Sequence, residues 1–522
     1  MFRAGFFKTM GMSLGAMLLG LTLLVTVLLL QPLAAPPGPV WSGPALVLDQ
    51  VHIVDTRTGQ VQRDSAIWIR QGRIEQITAA GIRVPEDYHY VPGHGHYVVP
   101  GLWDNHSHSL KLSPQLHHPL YLTHGVTYLR EMSGCMTADD SMAACAADRR
   151  RWSRQARSGE RSSPLYPQQS SFAINGGPEV PAAFPAFLRL QSAADATALA
   201  KHYQALGVDL LKTYELLNRE QYQWLAQAAA VTGQHLAGHQ PWQVTLADLI
   251  AARQRSVEHG RLFLFECSSV AMQLKQQPMR PGLVNSDVWR QILQSQNPAM
   301  CRQKMQAMAQ ARIWWSPTLL TLQLGARAAD PAFRQDPRLA QVPWILRLLW
   351  QGDADNMQKN GLDAQGRPVH AELLTLAQQQ LKQAVALGVP ILAGTDTPDS
   401  FVFAGSGLID ELELYTQAGL TPLQALQSAT LWPAQYAGVA ANAGTVEVGK
   451  EASLLLIAGN PLQHIQALRQ AEGLVLAGHW YDKPRLDQLQ TFSIKQAGSL
   501  TLNLQLAWSA LRSPQFRQQF AD

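Results

Sequence analysis

The chain has 522 residues, 46% of them hydrophobic and only 15% charged, with a formal net charge of +4. That length exceeds one small domain and suits a large α/β domain with a smaller companion. The nearly balanced charge excludes a polyanion-binding surface, so nucleic acid is not an expected partner.

At the amino terminus, Arg3 and Lys8 precede a run from Thr9 to Leu30 that holds no charged residue. A run of that length can cross a bilayer and predicts a membrane segment or secretory signal over residues 1–35. Leu33-Ala34-Ala35 makes a poor cleavage site, which favours the uncleaved anchor. Either reading exports the rest of the chain to a periplasmic or other extracytoplasmic space. Ala35 to Pro44, rich in proline and glycine, reads as a linker. In such an oxidising compartment the four cysteines predict two disulfides, Cys135–Cys145 and Cys267–Cys301, each within a segment that reads as loop or insertion.

From Ala45 to Tyr97 short apolar runs alternate with turn signals such as Thr58-Gly59 and Gln71-Gly72, and similar runs recur at Leu454–Ile457 and Leu474–Leu476. The two ends together predict one small β-sandwich domain over residues 45–98 and 443–485. Between them, residues 99–442 carry eight candidate strands: Leu102–His108, Val126–Arg130, Leu165–Phe172, Val208–Tyr214, Gln234–His239, Ser256–His259, Ile313–Thr318 and Val389–Asp396. Helical periods intervene, with start signals at Ser113-Pro114, at Asn218 with Gln221 and at Thr421-Pro422 with Gln424, and a stop at Gly233. Eight strands with crossover helices predict a (β/α)8 TIM barrel; an open doubly wound sheet is the alternative. Two long gaps, Ser133–Pro164 with its basic run Arg149–Arg151 and Leu319–Val369, read as insertions over the barrel mouth. Residues 486–522 form a tail in which Leu500, Leu502, Leu504 and Leu506 alternate before Trp508.

Barrel chemistry sits at the C-terminal strand ends. There the chain places His106 and His108, Lys212, His239, His259 and Asp396. Taken singly each has a structural explanation, such as a core histidine or a turn aspartate. Taken together, His-x-His after the first strand, histidines after the fifth and sixth, and an aspartate after the eighth form a metal-ligand set. Another pair, His94-Gly95-His96, precedes the Pro100-Gly101 turn among glycines and is set aside.

The run Pro100-Gly101-Leu102-Trp103-Asp104-Asn105-His106-Ser107-His108, with Gly125–Arg130, Gly207–Tyr214, Gly238-His239, Glu258-His259-Gly260 and Leu392–Asp396, resembles the amidohydrolase superfamily. The likeness is to its imidazolonepropionase-like branch, which includes metal-dependent dipeptidases and prolidase-type carboxypeptidases. It spans about Ala45 to Asp482 and departs from the family pattern at Glu451-Ala452-Ser453, where an Ala-Asp pair is usual. The resemblance implies two divalent metal ions, zinc by preference. His106, His108 and Asp396 would hold one, His239 and His259 the other, with Lys212 bridging both as a carboxylated lysine. It further implies hydrolysis of C–N bonds in a small amide or peptide by a metal-activated water, with Asp396 shuttling the proton. Tyr214, on the strand face of Lys212, and Arg130 are candidate substrate-binding residues. A cyclic amide or lactone hydrolase, and a catalytically dead binding protein on this scaffold, are the competing readings. Homo-oligomerisation is left open.

Overall fold

The computed structural model describes residues 17–177, 180, 184–280 and 282–513. Residues 17–30 are helical, with Met17, Leu19 and Leu30 exposed, and the amide of Gln505 donates to the carbonyls of Leu28 and Gln31. Among the described residues no helix is long and apolar enough to cross a membrane. The spanning segment expected over residues 1–35 is therefore not described as such; its first part lies outside the described residues.

Both chain ends build one sheet. Its strands are β1 Ala45–Val54, β2 Val61–Arg70, β3 Arg73–Ala79, β4 His89–Pro92 and β5 Tyr97–Pro100. The barrel strands β6 to β12 follow, and the C-terminal strands β13 Leu454–Ile457, β14 Ala471–Leu476 and β15 His479–Asp482 complete the set. The sheet order is β15-β14-β13-β5-β1-β2-β3, with β4 beside β1. A sandwich of two sheets was the expectation, and a single continuous sheet replaces it. Register shifts in β1 around Val51 bend the strand, so one sheet curls over its own core of Leu46, Leu48, Ile67, Leu454 and Trp480.

The barrel strands are β6 Leu102–Ser107, β7 Val126–Glu131, β8 Leu165–Gln168, β9 Leu210–Thr213, β10 His235–Gly238, β11 Ser256–Glu258 and β12 Trp314–Ser316. They pair in parallel as β6-β7-β8 and β9-β10-β11-β12, and the bridge between Ser170 and Leu210 joins the two groups. Residues 391–397 close the ring: Ile391 bridges Trp315 and Thr397 bridges Ser107. Closure excludes the open doubly wound sheet. The strands are buried on both faces, as parallel strands under helices must be. The expected caps form: Asn218 accepts from the Gln221 amide, Thr421 from the Gln424 amide, and Gly233 ends its helix at φ 71°.

Both disulfides are present, Cys135–Cys145 and Cys267–Cys301. Of the two gaps, the first carries a helix, Ala146–Arg157. The second carries the helices Leu320–Arg327, Pro331–Arg334 and Trp344–Asn360, which pack through Leu324, Phe333 and Trp350 on Phe401 and Phe403. The alternating leucines of the tail lie in a helix, Leu500–Arg512, with Leu502 and Leu506 inward and Leu500 and Trp508 exposed.

Candidate metal centre

His106 lies in β6 and His108 follows two residues on, their rings 5.3 Å apart. Lys212 is in β9, His239 follows β10, His259 follows β11, and Asp396 belongs to the closing segment. Parallel strands put all of these at one end of the barrel. Donor atoms of His106, His259 and Asp396 lie within 4.8 Å of one another. His239 Nε2 faces His259 Nε2 at 2.9 Å. Lys212 is 2% exposed, with its Nζ 5.6 Å from the centre of the Tyr214 ring.

The Nδ1 atoms of three histidines are occupied by outer partners. His106 Nδ1 is 3.0 Å from Glu258 Oε2, His259 Nδ1 is 2.8 Å from Thr318 Oγ1, and His239 Nδ1 is 3.4 Å from Glu215 Oε1. Such partners fix the ring orientation and leave Nε2 for a metal. His106 Nε2 and His108 Nε2 lie 3.1 and 2.9 Å from Asp396 Oδ1, yet both are buried without a hydrogen-bond partner. Orphaned imidazole nitrogens beside a carboxylate are the donor set a divalent cation takes, zinc before the harder metals. The backbone pays locally for this convergence: His259 and Asp396 both sit at φ 73°, a region costly for residues other than glycine.

Electrostatics follow from burial. It pushes the Lys212 ammonium below its ordinary value, against the pull of Asp396 and Glu258. It likewise brings His239 down to about 4, opposed by Glu215. Burial also carries the Tyr214 hydroxyl up to about 12, with Glu215 adding to the rise. The Tyr214 ring lies 4.2 Å from that of His239, so this residue borders the centre.

Arg130 is placed differently from the expectation. Its side chain is 1% exposed, and the guanidinium contacts Glu258 at 2.7 Å, Ser256 at 2.7 Å and Tyr436 at 3.1 Å. A cation so enclosed cannot reach a substrate; it neutralises Glu258, which in turn holds His106. Three residues of the site had not been singled out: Glu258, Glu215 and Thr318. Glu258 stood within the motif Glu258-His259-Gly260, Glu215 was signalled only by adjacency to Tyr214, and Thr318 meets His259 only through the barrel.

A pocket of about 190 Å³ opens beside His239 and His259, bordered also by Glu215 and Arg261. Its apolar wall comes from Trp242 and from residues 262–289. Neither long insertion contributes to that wall; the first pairs with residues 109–110 just after His108, and the second meets Ser400 through Asp353. The stretch after β11, closed by Cys267–Cys301, forms it.

Residues 354–480 match the model of the amidohydrolase family. No curated protein matches the chain in sequence. Among solved structures, a bottromycin amidohydrolase is similar over 90% of this chain and 92% of its own, at 21% identity and a TM-score of 0.64. A Xaa-Pro dipeptidase with methionine in its active site is similar over 84% of this chain and 100% of its own, at 18% identity and a TM-score of 0.57. A prolidase complexed with N-methylphosphonate-L-proline is similar over 84% and 99%, at 16% identity and a TM-score of 0.57. The chain thus matches the amidohydrolase family over residues 354–480 and shares the fold of these solved hydrolases, with its histidines converging at one end of the barrel.

Proposed function

We propose that the protein hydrolyses the C–N bond of a small amide or peptide at a binuclear metal centre, in the manner of a dipeptidase or carboxypeptidase. The observation that supports this reading is the pair of orphaned Nε2 atoms of His106 and His108 beside Asp396, next to the Nε2 atoms of His239 and His259 that face each other at 2.9 Å. His106, His108 and Asp396 would hold one ion, His239 and His259 the second, and Lys212 would bridge them once carboxylated. A buried lysine with a depressed pKa is the form that takes up carbon dioxide, since only the neutral amine is nucleophilic. When bound, the metals supply Lewis acidity toward a carbonyl and lower the pKa of water from ~15.7 toward ~7.

The chain's own groups have the following tasks. Asp396 Oδ1 faces the two histidines of β6 and Oδ2 lies 3.7 Å from His259 Nδ1, so the carboxylate borders both halves of the centre. There it accepts a proton from the attacking water and delivers it to the leaving nitrogen. Tyr214, protonated throughout the neutral range, donates its hydroxyl to a substrate carbonyl or carboxylate. Glu258 and Arg130 hold the His106 ring in place.

The test is metal content with turnover of a panel of dipeptides and N-acyl amino acids, on protein purified with zinc and bicarbonate. Two ions per chain and peptide turnover, both lost in Lys212→Ala, are expected. One ion, indifferent to Lys212→Ala, would overturn the bridged centre.

We also infer an extracytoplasmic location. Two disulfides and the apolar helix at residues 17–30 support it.

A further inference from the structure

We infer that the pocket beside His239 and His259 selects substrates carrying one aromatic ring, or an aliphatic group of similar size, next to the scissile amide. This inference rests on the proposed amide hydrolysis and names the substrate class for it. The pocket's position decides which part of a substrate enters. It shares Glu215, His239 and His259 with the metal centre, so a substrate polarised there places the adjoining group in the recess.

Beyond the polar edge that borders the histidines, the wall is apolar and aromatic: Trp242, Leu262, Phe265, Met279, Val284 and Trp289. Phe265 stacks on Trp289 with centroids 5.0 Å apart, and Trp242 meets Phe265 edge-on at 5.4 Å. These are the offset and edge contacts that a further ring would extend. The polar handle of Trp242 is spent, since its Nε1 donates to the Gln277 carbonyl at 2.9 Å. Of the two cations at the lining, Lys275 is matched by Glu266 at 3.1 Å and Arg261 by Glu215 at 3.2 Å, so neither stands alone to favour an acidic group.

Size gives the second constraint. The pocket measures about 190 Å³, and an apolar protein cavity of roughly 150 Å³ takes up benzene. One ring fits with a methylene to spare, whereas a methyl group would leave most of the recess unfilled.

The wall is also held firm. Cys267–Cys301 closes the segment that carries Met279, Val284 and Trp289. The next residue, Arg290, is tied to Asp363 and Glu372 at 2.8 Å each. A recess fixed before binding spends little of a ligand's burial energy on ordering itself.

The experiment compares L-phenylalanine, L-leucine and L-alanine, which cannot be hydrolysed, by calorimetry on the zinc-loaded full chain. Burial of the larger side chain predicts that phenylalanine binds roughly tenfold to a hundredfold tighter than alanine. In Val284→Trp, which fills the recess, the ratio should fall toward one, and Met279→Trp provides the same readout if the first variant does not fold. Equal binding of the three amino acids overturns the inference, as does a phenylalanine preference that persists in a folded, filled variant. Phenylalanine preference without turnover of any amide would leave the pocket standing and remove the proposed reaction. Amide turnover with no preference would do the reverse.

Discussion

Glu258 stands one residue before His259 in the chain yet acts on His106, a proposed ligand from a different strand. It is fully buried, and burial alone would raise its pKa; the guanidinium of Arg130 and the ring of His106 instead bring it down to about 2. The carboxylate is thus charged in the neutral range, and His106 keeps an acceptor on Nδ1. Glu258→Gln removes that acceptor charge and leaves Arg130 facing a neutral amide. Loss of an outer partner of this kind costs about 10–100-fold in metal affinity. A competitive zinc titration against a chelator reads the change directly; unaltered affinity would show that His106 needs no help to face the metal.

At the scale of elements, the turn after β12 carries the weight of the opposite side of the site. Thr318 holds the His259 ring from a left-handed backbone at φ 40°, and the next two amides, of Leu319 and Leu320, donate to Glu411 at 2.7 and 2.9 Å. Glu411 lies within the helix Ser406–Gln417 and is buried, which pushes its carboxyl from 4.5 up to about 8 despite those two donors. A folded-state pKa above the unfolded one means the native state holds the proton more tightly. The resulting stability is complete below pH 4.5 and is lost as the pH rises through about 8. Urea midpoints should therefore fall between pH 5 and pH 8, and Glu411→Gln should flatten that slope. An equal slope in both proteins would assign the pH dependence to other groups.

The whole molecule is organised by the sheet that its two ends share. Gly101 alone separates β5 from β6, so the flanking sheet feeds directly into the first barrel strand. Gly125, before β7, sits at φ 73° with Leu455 of β13 so close that a Cβ there would meet its side chain at 2.4 Å. Glu451, in the stretch Glu451-Ala452-Ser453, accepts from the Tyr128 hydroxyl at 2.7 Å and from Arg157 at 2.9 Å. It thus supplies a tie between barrel and sheet. Compartment is a property of the whole chain as well. Fractionation of cells expressing it should recover the protein outside the cytoplasm with Cys135–Cys145 and Cys267–Cys301 oxidised; a reduced cytoplasmic pool that carries full activity would overturn the inferred export.

Some of this was legible in the chain itself. Strand ends of a parallel barrel are local features, because β-branched and leucine-rich runs, capping pairs such as Asn218 with Gln221, and the residues that follow each run are all written within a few positions. For that reason His106, His108, Lys212, His239, His259 and Asp396 could be named, along with both disulfides, the barrel and the strand face that Tyr214 shares with Lys212. What the tertiary structure decided depends on pairings across the ring that no local pattern encodes. Arg130 points inward because Glu258 and Tyr436 meet it there. The curled sheet is continuous because β5 finds both β1 and β13. The pocket is walled by the cystine-closed stretch after β11 and not by the longer insertions. Helical and strand periods specify what each segment is and which side is apolar, while the contacts of buried polar side chains follow from the packing of segments distant in sequence.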